Sequence, residues 1–318
     1  MTTLPGLVEA EFICEASGFD RCHASTIVET EKGLVAAWFG GSHEGHDDVG
    51  VWVTRKRAGV WDTPLQVVSG VQSGGERYPC WNPVLVQPRE GPLLLFFKCG
   101  PRPSLWWGLL MRSTDAGLSW SPPERLPDGI LGPIKNKALE LEDGTLLCPS
   151  SSEHDGWRVH FEWTLDLGRT WERSASIGDG RRFACIQPAL LAHSSGRLQA
   201  LCRSKRRCLT ETWSDDNGRT WSEMATTELP NPNAGADAVT LADGRHLLVY
   251  NHSTEGRTPL NLALSPDGVD WGAPLALEAK RGEYSYPAVI QARDGWVHVA
   301  YTWKRLSVRH LTIDPGQL

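Results

Sequence analysis

The sequence predicts an all-β chain, a six-bladed β-propeller of four-stranded antiparallel blades, and three observations carry that expectation. The first is a recurring turn. Ser113 to Trp120 reads S-T-D-A-G-L-S-W, Thr164 to Trp171 reads T-L-D-L-G-R-T-W, and Ser214 to Trp221 reads S-D-D-N-G-R-T-W, while Ser265 to Trp271 is one residue shorter, S-P-D-G-V-D-W. The closing tryptophans lie 51, 50 and 50 residues apart, a period typical of propellers and solenoids. The second observation is a set of six turn glycines, Gly33, Gly91, Gly144, Gly196, Gly244 and Gly295, each after a polar residue and between two apolar runs, with steps of 58, 53, 52, 48 and 51. Such X-Gly pairs between β-rich segments signal hairpins. The third is that no helical pattern of about 10 to 15 residues intervenes, which excludes α/β folds.

Each unit reads as strand, glycine turn, strand, loop, strand, acidic turn and a weaker outer strand. In the acidic turn the aspartate accepts from backbone amides, the glycine supplies a positive φ, and the indole plugs the hairpin base. The first unit has strands at His23 to Glu29, Leu34 to Phe39 and Val49 to Thr54, with Gly59-Val60-Trp61 as a degenerate turn. Later units open at Asn82-Pro83, Asn136-Lys137, Gln187-Pro188, Asp237-Ala238 and Tyr286-Pro287. Their second strands are Leu93 to Phe97, Thr145 to Cys148, Leu198 to Cys202, His246 to Tyr250 and Val297 to Tyr301. The sixth unit ends after its third strand, Val308 to Ile313, so Leu7 to Cys14 is expected to supply the missing outer strand and close the ring. No composition shift divides the chain, and residues 1–318 read as one domain.

With 40% apolar and 22% charged residues, net charge −6 and no apolar run near the roughly 18 residues of a membrane span, neither a membrane protein nor a general nucleic-acid binder is expected. The start M-T-T-L-P-G-L-V-E-A-E lacks a basic segment followed by a long apolar one, which predicts a cytoplasmic location. Eight cysteines without a C-x-x-C pair read as buried free thiols. No cofactor and no metal is expected: His43, Glu44, His46 and Asp47 have H-x-x-H spacing, but on a loop.

Up-and-down strands put the glycine turns and the acidic turns on one face and the openings of the inner strands on the other. The acidic turns are therefore structural. The opposite face brings His23, Asn82, Lys135 with Asn136, Gln187, Asp237 and Tyr284 with Tyr286 toward the axis, and loops between second and third strands add Glu44, Asp47, Asp48, Arg203, Lys205, His252 and Arg257. Such a concentration of polar groups is what a binding pocket requires.

These turns resemble the Asp boxes, S-x-D-x-G-x-T-W, of the sialidase (neuraminidase) superfamily, and the chain resembles a divergent subgroup of these BNR-repeat proteins over nearly its whole length. The resemblance implies a propeller with a terminal carboxylated sugar, sialic acid or a related acidic sugar, as its glycan substrate. It implies that Arg21, at the place of the family's Arg-Ile-Pro motif, Arg203 after a blade-four strand, and Arg257 before the fifth unit's box clamp the carboxylate. Asp48, or Asp47, would be the acid, and Tyr284 of the pair Tyr284-Ser285 the nucleophile. Asn82, Lys135 and Tyr286 would complete the sugar pocket. The family's glutamate base is replaced by Gln187, and an amide cannot take a proton. Asp237 or Glu283 is then expected to substitute.

The chemistry of these residues agrees with an acidic sugar. Three guanidiniums offset their repulsion with an anion, and planar forks suit a carboxylate. A neutral tyrosine suits attack on an anomeric carbon that bears a carboxylate, and Asp48 would need a raised pKa to protonate the leaving oxygen. Two other readings remain: a lyase or hydrolase acting on a uronic acid, with His23 or Tyr284 as base, and a glycan-binding propeller without catalysis.

Overall fold

The computed structural model describes residues 4–14 and 18–318. It is all-β, with one short 3-10 turn at Pro315–Gln317, and its strands form six antiparallel blades around an axis. Blades two to five each run in chain order through four strands. Blade one pairs Arg21–Thr30, Gly33–Gly41 and Gly50–Arg57 in sequence; its outer edge is split into Val60–Trp61 and Leu65–Val68, both on the third strand. Blade six takes Tyr284–Gln291, Val297–Trp303 and Ser307–Ile313 and is completed by Leu7–Phe12, which pairs antiparallel with the last of these. The two ends of the chain thus close the ring, as the unfinished sixth repeat predicts, and no long edge is left open there.

The acidic turns hold themselves. Asp216 accepts from Thr220 N (2.8 Å) and from the Thr220 hydroxyl (2.6 Å), while Gly218 N donates to Ser214 Oγ (2.9 Å). Asp115, Asp166 and Asp267 repeat the pattern. Burial is the largest single influence on the Asp166 carboxyl and raises it, but the Thr170, Thr164 and Arg169 hydrogen bonds together outweigh it and hold the group down at about 2. The indoles do more than plug their own hairpins. Trp221 stacks on Phe161 of the preceding blade at 3.8 Å, and Trp171 meets Phe96 edge-on at 6.0 Å. The repeat period is therefore the period of blade-to-blade packing.

The core is correspondingly divided. Six apolar clusters lie one at each blade interface, such as Leu147, Phe161, Leu198 and Met224 between blades three and four. A seventh, with Phe39, Trp81, Trp106, Ile134 and Tyr286, lies at the axis. All eight cysteines are free, and seven are buried.

One backbone device decides what reaches the axis. Near its opening the inner strand carries a bulge, between His23 and Thr26, Trp81 and Val84, Ile186 and Ala189, and Ser285 and Ala288. Inside each bulge one residue has positive φ: Ala24, Asn82, Gln187 and Tyr286, with Lys135 the counterpart in blade three. Each sits nine residues before its turn glycine, and Gly235 holds that place in blade five. A bulge breaks the two-residue alternation of a strand and re-aims one side chain. In blade three the regular inner strand is only Leu139–Glu140, because side chains rather than a ladder hold the Lys135-Asn136 corner.

Candidate active site at the propeller axis

The floor of the site is built from the positive-φ positions. Tyr286 projects to the axis, where its hydroxyl accepts from Arg203 Nη1 (2.8 Å) and Gln187 Nε2 (3.2 Å). Arg203 also donates to Gln187 Oε1 (3.2 Å) and Asn233 Oδ1 (3.0 Å), so tyrosine, amide and guanidinium form one closed triangle. A hydroxyl that already accepts two N–H groups has its own proton left to give. The Arg257 guanidinium lies 5.6 Å from the centre of the same ring. Gly235 leaves the room for this: a Cβ there would stand 3.2 Å from Lys135 Cε, 3.3 Å from Gln187 Oε1 and 3.4 Å from Tyr286 Cδ2.

His23 packs against Tyr286 at 4.0 Å between ring centres, and its Nδ1 lies 3.1 Å from Thr302 Oγ1. Burial holds its pKa well below 6.5, and the charges of Arg305, Arg257, Arg203 and Lys135 push the same way. It is a neutral base inside a ring of cations. Above it opens a cavity of about 410 Å³, walled by Arg21, His43, Glu44, Glu283, Lys304 and Arg305 among others. Glu283 Oε1 receives both Arg257 Nη1 (2.8 Å) and Arg305 Nε (2.7 Å), and Arg305 Nη1 also pairs with Glu44. Burial raises the Glu283 carboxyl, yet the two arginines bring it below its ordinary value.

The positions expected from sequence divide clearly. Arg203, Arg257, Gln187, His23 and Tyr286 come together. Arg21 stands exposed at the cavity wall, its side chain without a polar partner among the described residues. Asn82 is buried at its positive-φ place, and its amide has no hydrogen bond among the described residues. Lys135 lies under the floor, where its ammonium donates to Asn136 Oδ1 (2.7 Å), Ala236 O (2.8 Å) and Pro287 O; burial lowers its pKa to about 7. It ties blades three, five and six together.

Three placements differ from expectation. Tyr284 is 1% exposed and points into the apolar layer between blades five and six, with Leu241, Val249, Leu260 and Tyr301. Two residues apart on a regular strand, Tyr284 and Tyr286 would share a direction; the bulge at Ser285–Ala288 separates them. Asp237 is seven rather than nine residues before its turn glycine, so it lies outside the floor set. Its carboxylate takes Lys137 Nζ (2.9 and 3.0 Å), Val289 N (2.8 Å) and Ala238 N (2.9 Å), a clamp between blades rather than a free base. Asp48 is turned back on its own loop, accepting from Ser42 N (2.7 Å) and Ser42 Oγ (2.9 Å). Desolvation is its largest single influence, but these bonds win and lower its pKa, opposite to what a general acid needs.

Arg305 escaped the sequence reading. It occupies the loop after the second strand of blade six, the same place in the repeat that gave Arg203, Lys205 and His43, and that offset was the available signal. Among the described residues, the acidic and histidine groups near enough to share a metal ion are Glu9, Glu11 and His310, where Lys56 Nζ already binds both carboxylates (2.6 and 2.5 Å). The loop set His43, Glu44, His46 and Asp47 is not gathered in this way.

Comparison with known proteins agrees with this architecture. The anhydrosialidase of Macrobdella decora is 24% identical over 233 residues, which are 62% of this chain and 30% of that protein, so the chain spans less than a third of that relative. Among solved structures, a protein of unknown function from Dyadobacter fermentans superposes with a TM-score of 0.81 at 17% identity, covering 97% of this chain and 98% of the other. The intramolecular trans-sialidase of Ruminococcus gnavus gives 0.78 at 13%, covering 97% of each chain. At these identities the structural likeness shows the fold. The model of the BNR repeat-like domain matches residues 32–299, most of the repeats described above, and the chain belongs to that family, within the sialidase-like superfamily.

Proposed function

We propose that this propeller is a sialidase-like exo-glycosidase that removes a terminal carboxylated sugar from a glycan. The observation that carries the reading is the convergence of Arg203 and Arg257 on Tyr286, against His23, which lines an open cavity. Around the site the five cations Arg21, Arg203, Arg257, Lys304 and Arg305 face three carboxyls, Glu44, Glu283 and Glu153, an excess of positive charge on a chain of net charge −6. A substrate carboxylate takes the place of Glu283 as partner of Arg257 and Arg305, exchanging one ion pair for another and holding the sugar over Tyr286.

In this reading the Tyr286 oxygen forms a bond to the anomeric carbon as the glycosidic C–O bond breaks. The phenol proton passes to neutral His23, and the Glu44 carboxyl on the cavity wall, released from Arg305 by the substrate carboxylate, protonates the leaving oxygen. Water then attacks the anomeric carbon and gives a proton to Glu44 as the bond to the Tyr286 oxygen breaks, and His23 returns its proton to that oxygen. Gln187 positions the hydroxyl through its N–H and takes no proton. Tyr286 and His23 thus take the parts that the sequence assigned to Tyr284 and Asp237.

One observation favours a second reading. His23 and Tyr286 touch, and Gln187 rather than a carboxylate adjoins the tyrosine. A neutral base and a phenol next to a carboxylate clamp also suit β-elimination on a uronic acid, where His23 removes the proton beside the carboxylate and Tyr286 protonates the leaving oxygen. The deciding experiment incubates the protein with a sialoside and with a glucuronate-containing glycan, reading both released sugar and ultraviolet absorbance. Released acidic sugar without absorbance is expected, and Arg257→Lys should weaken substrate binding by about 1 to 3 kcal/mol. An unsaturated product would decide for elimination; no product from either glycan would remove both enzymatic readings.

A further inference from the structure

Beside the axial site, blades three and four carry an alternation of cations and aromatic rings that the chemistry above does not use. Arg203 lies 5.2 Å and Lys205 4.5 Å from the Trp157 ring, on the loop between the second and third strands of blade three. The next residue, Arg206, lies 6.0 Å from the Phe183 ring, with Arg182 at 5.1 Å from the same ring. Arg206 Nε donates to Arg182 O (2.5 Å), which ties the two loops together. Arg181, Arg182, Lys205 and Arg206 are exposed, and none forms a salt bridge among the described residues, although Glu153, hydrogen-bonded to Trp157, lies within the field of Lys205 and Asp179 within that of Arg181; Arg207 pairs with Glu255 at 3.3 Å. Below them runs a groove of about 520 Å³ with an apolar floor of Phe183, Met224 and Ala225 and a rim of Arg182 and Arg206.

The strip is continuous with the active site. Arg203 donates to the Tyr286 hydroxyl on one side and faces Trp157 on the other. Four cations held side by side without a salt bridge, with only Glu153 and Asp179 to offset them, repel one another, and on a chain of net charge −6 they are not explained by overall charge. They call for several anionic groups in a row. A floor of aromatic and aliphatic carbon between guanidinium forks suits pyranose rings that bear carboxylates or sulfates: the ring carbons cover the apolar surface while the forks take the oxyanions.

We infer that the strip from Trp157 through Lys205 and Arg206 to Phe183 and Arg182 binds the residues beyond the terminal sugar, and that the substrate is the end of a polyanionic glycan. The inference rests on the carboxylated-sugar reading of the axial pocket, and the two fail differently. Binding of galacturonic acid, tetragalacturonate, a chondroitin sulfate tetrasaccharide, neutral dextran and single-stranded DNA to the full chain is measured by calorimetry at two salt concentrations. The tetrasaccharides should bind at least about tenfold tighter than the monosaccharide, with a gain that shrinks in high salt. Arg182→Ala with Arg206→Ala should reduce that gain to about twofold and leave monosaccharide affinity unchanged. The uronate and sulfate arms separate the two sources of negative charge: a gain confined to one names the class. Equal affinity at both chain lengths, or a gain untouched by the double substitution, would overturn the inference, as would DNA binding as tightly as the tetrasaccharides. Tetrasaccharide binding that depends on Arg182 and Arg206, with no monosaccharide binding, would keep the strip and remove the axial reading.

Discussion

The two faces of the propeller use their polar groups in opposite ways. On the turn face every box aspartate is answered by neighbours two to four residues away, as Asp216 is by Ser214 and Thr220. On the axial face, residues between 16 and 99 positions apart answer each other, as Arg203, Gln187 and Tyr286 do. A local motif repeats because each copy solves its own problem of satisfying backbone groups. A site assembled from different blades does not repeat, and its members differ at equivalent positions: Ala24, Asn82, Lys135, Gln187, Gly235 and Tyr286. The sameness of one face holds the differences of the other in place.

The comparison is sharpest at two tyrosines. Tyr286→Phe removes the hydroxyl on which Arg203 and Gln187 converge, and turnover should fall by about 100-fold or more with substrate affinity nearly kept. Tyr284→Phe alters a group in the layer between blades, so its effect should be on melting temperature alone. Steady-state kinetics beside thermal unfolding checks both, and a dead Tyr284→Phe enzyme of normal stability would reverse the assignment.

On the turn face, Asp216→Ala leaves the Thr220 amide and the Ser214 and Thr220 hydroxyls without their acceptor. A loss of about 1 to 2 kcal/mol in denaturant unfolding is expected, with kcat per folded molecule unchanged. If activity fell as well, the two faces would be coupled.

Acid should separate the faces by pH. His23 has a folded-state pKa well below its ordinary 6.5, so the unfolded chain binds its proton first as pH falls. Its contribution to stability is complete above about 6.5 and declines below it, by up to about 1.4 kcal/mol per pH unit, until the folded pKa is reached. Box aspartates such as Asp216 and Asp267, lowered from 3.8, keep theirs until the pH falls below about 4. His23→Gln should therefore make the stability curve shallower below about pH 6.5, keeping the slope that other lowered histidines such as His246 and His298 supply, and leave the box-aspartate part below about 4 unchanged, as read by urea unfolding across pH.

The smallest effect is expected at Gly235. Its blade-five place leaves space that Lys135, Gln187 and Tyr286 occupy, and a methyl group would press on all three at 3.2 to 3.4 Å. Gly235→Ala should cost about 1 kcal/mol of stability and raise KM more than it lowers kcat. A neutral result would mean the floor has room to give.

The sequence by itself determined the fold: the box spacing, the six turn glycines and the unfinished sixth unit specify six blades and the closing role of Leu7–Phe12. It also placed Arg203, Arg257, Gln187, His23 and Tyr286 on the axial face, because loop and strand-opening positions follow from strand count alone. What it did not contain was direction. Alternation along a strand says that Tyr284 and Tyr286 point the same way, and only the positive φ of Tyr286 inside its bulge shows that they do not. Likewise Asp237 carries the right charge near the right place, yet Lys137, a hundred residues earlier, and Val289 N, fifty-two later, take up its oxygens. The fold follows from contacts that recur locally and can be read from spacing. The site depends on which side chains meet across the axis, and that is decided by backbone bends and distant partners, which no period in the sequence records.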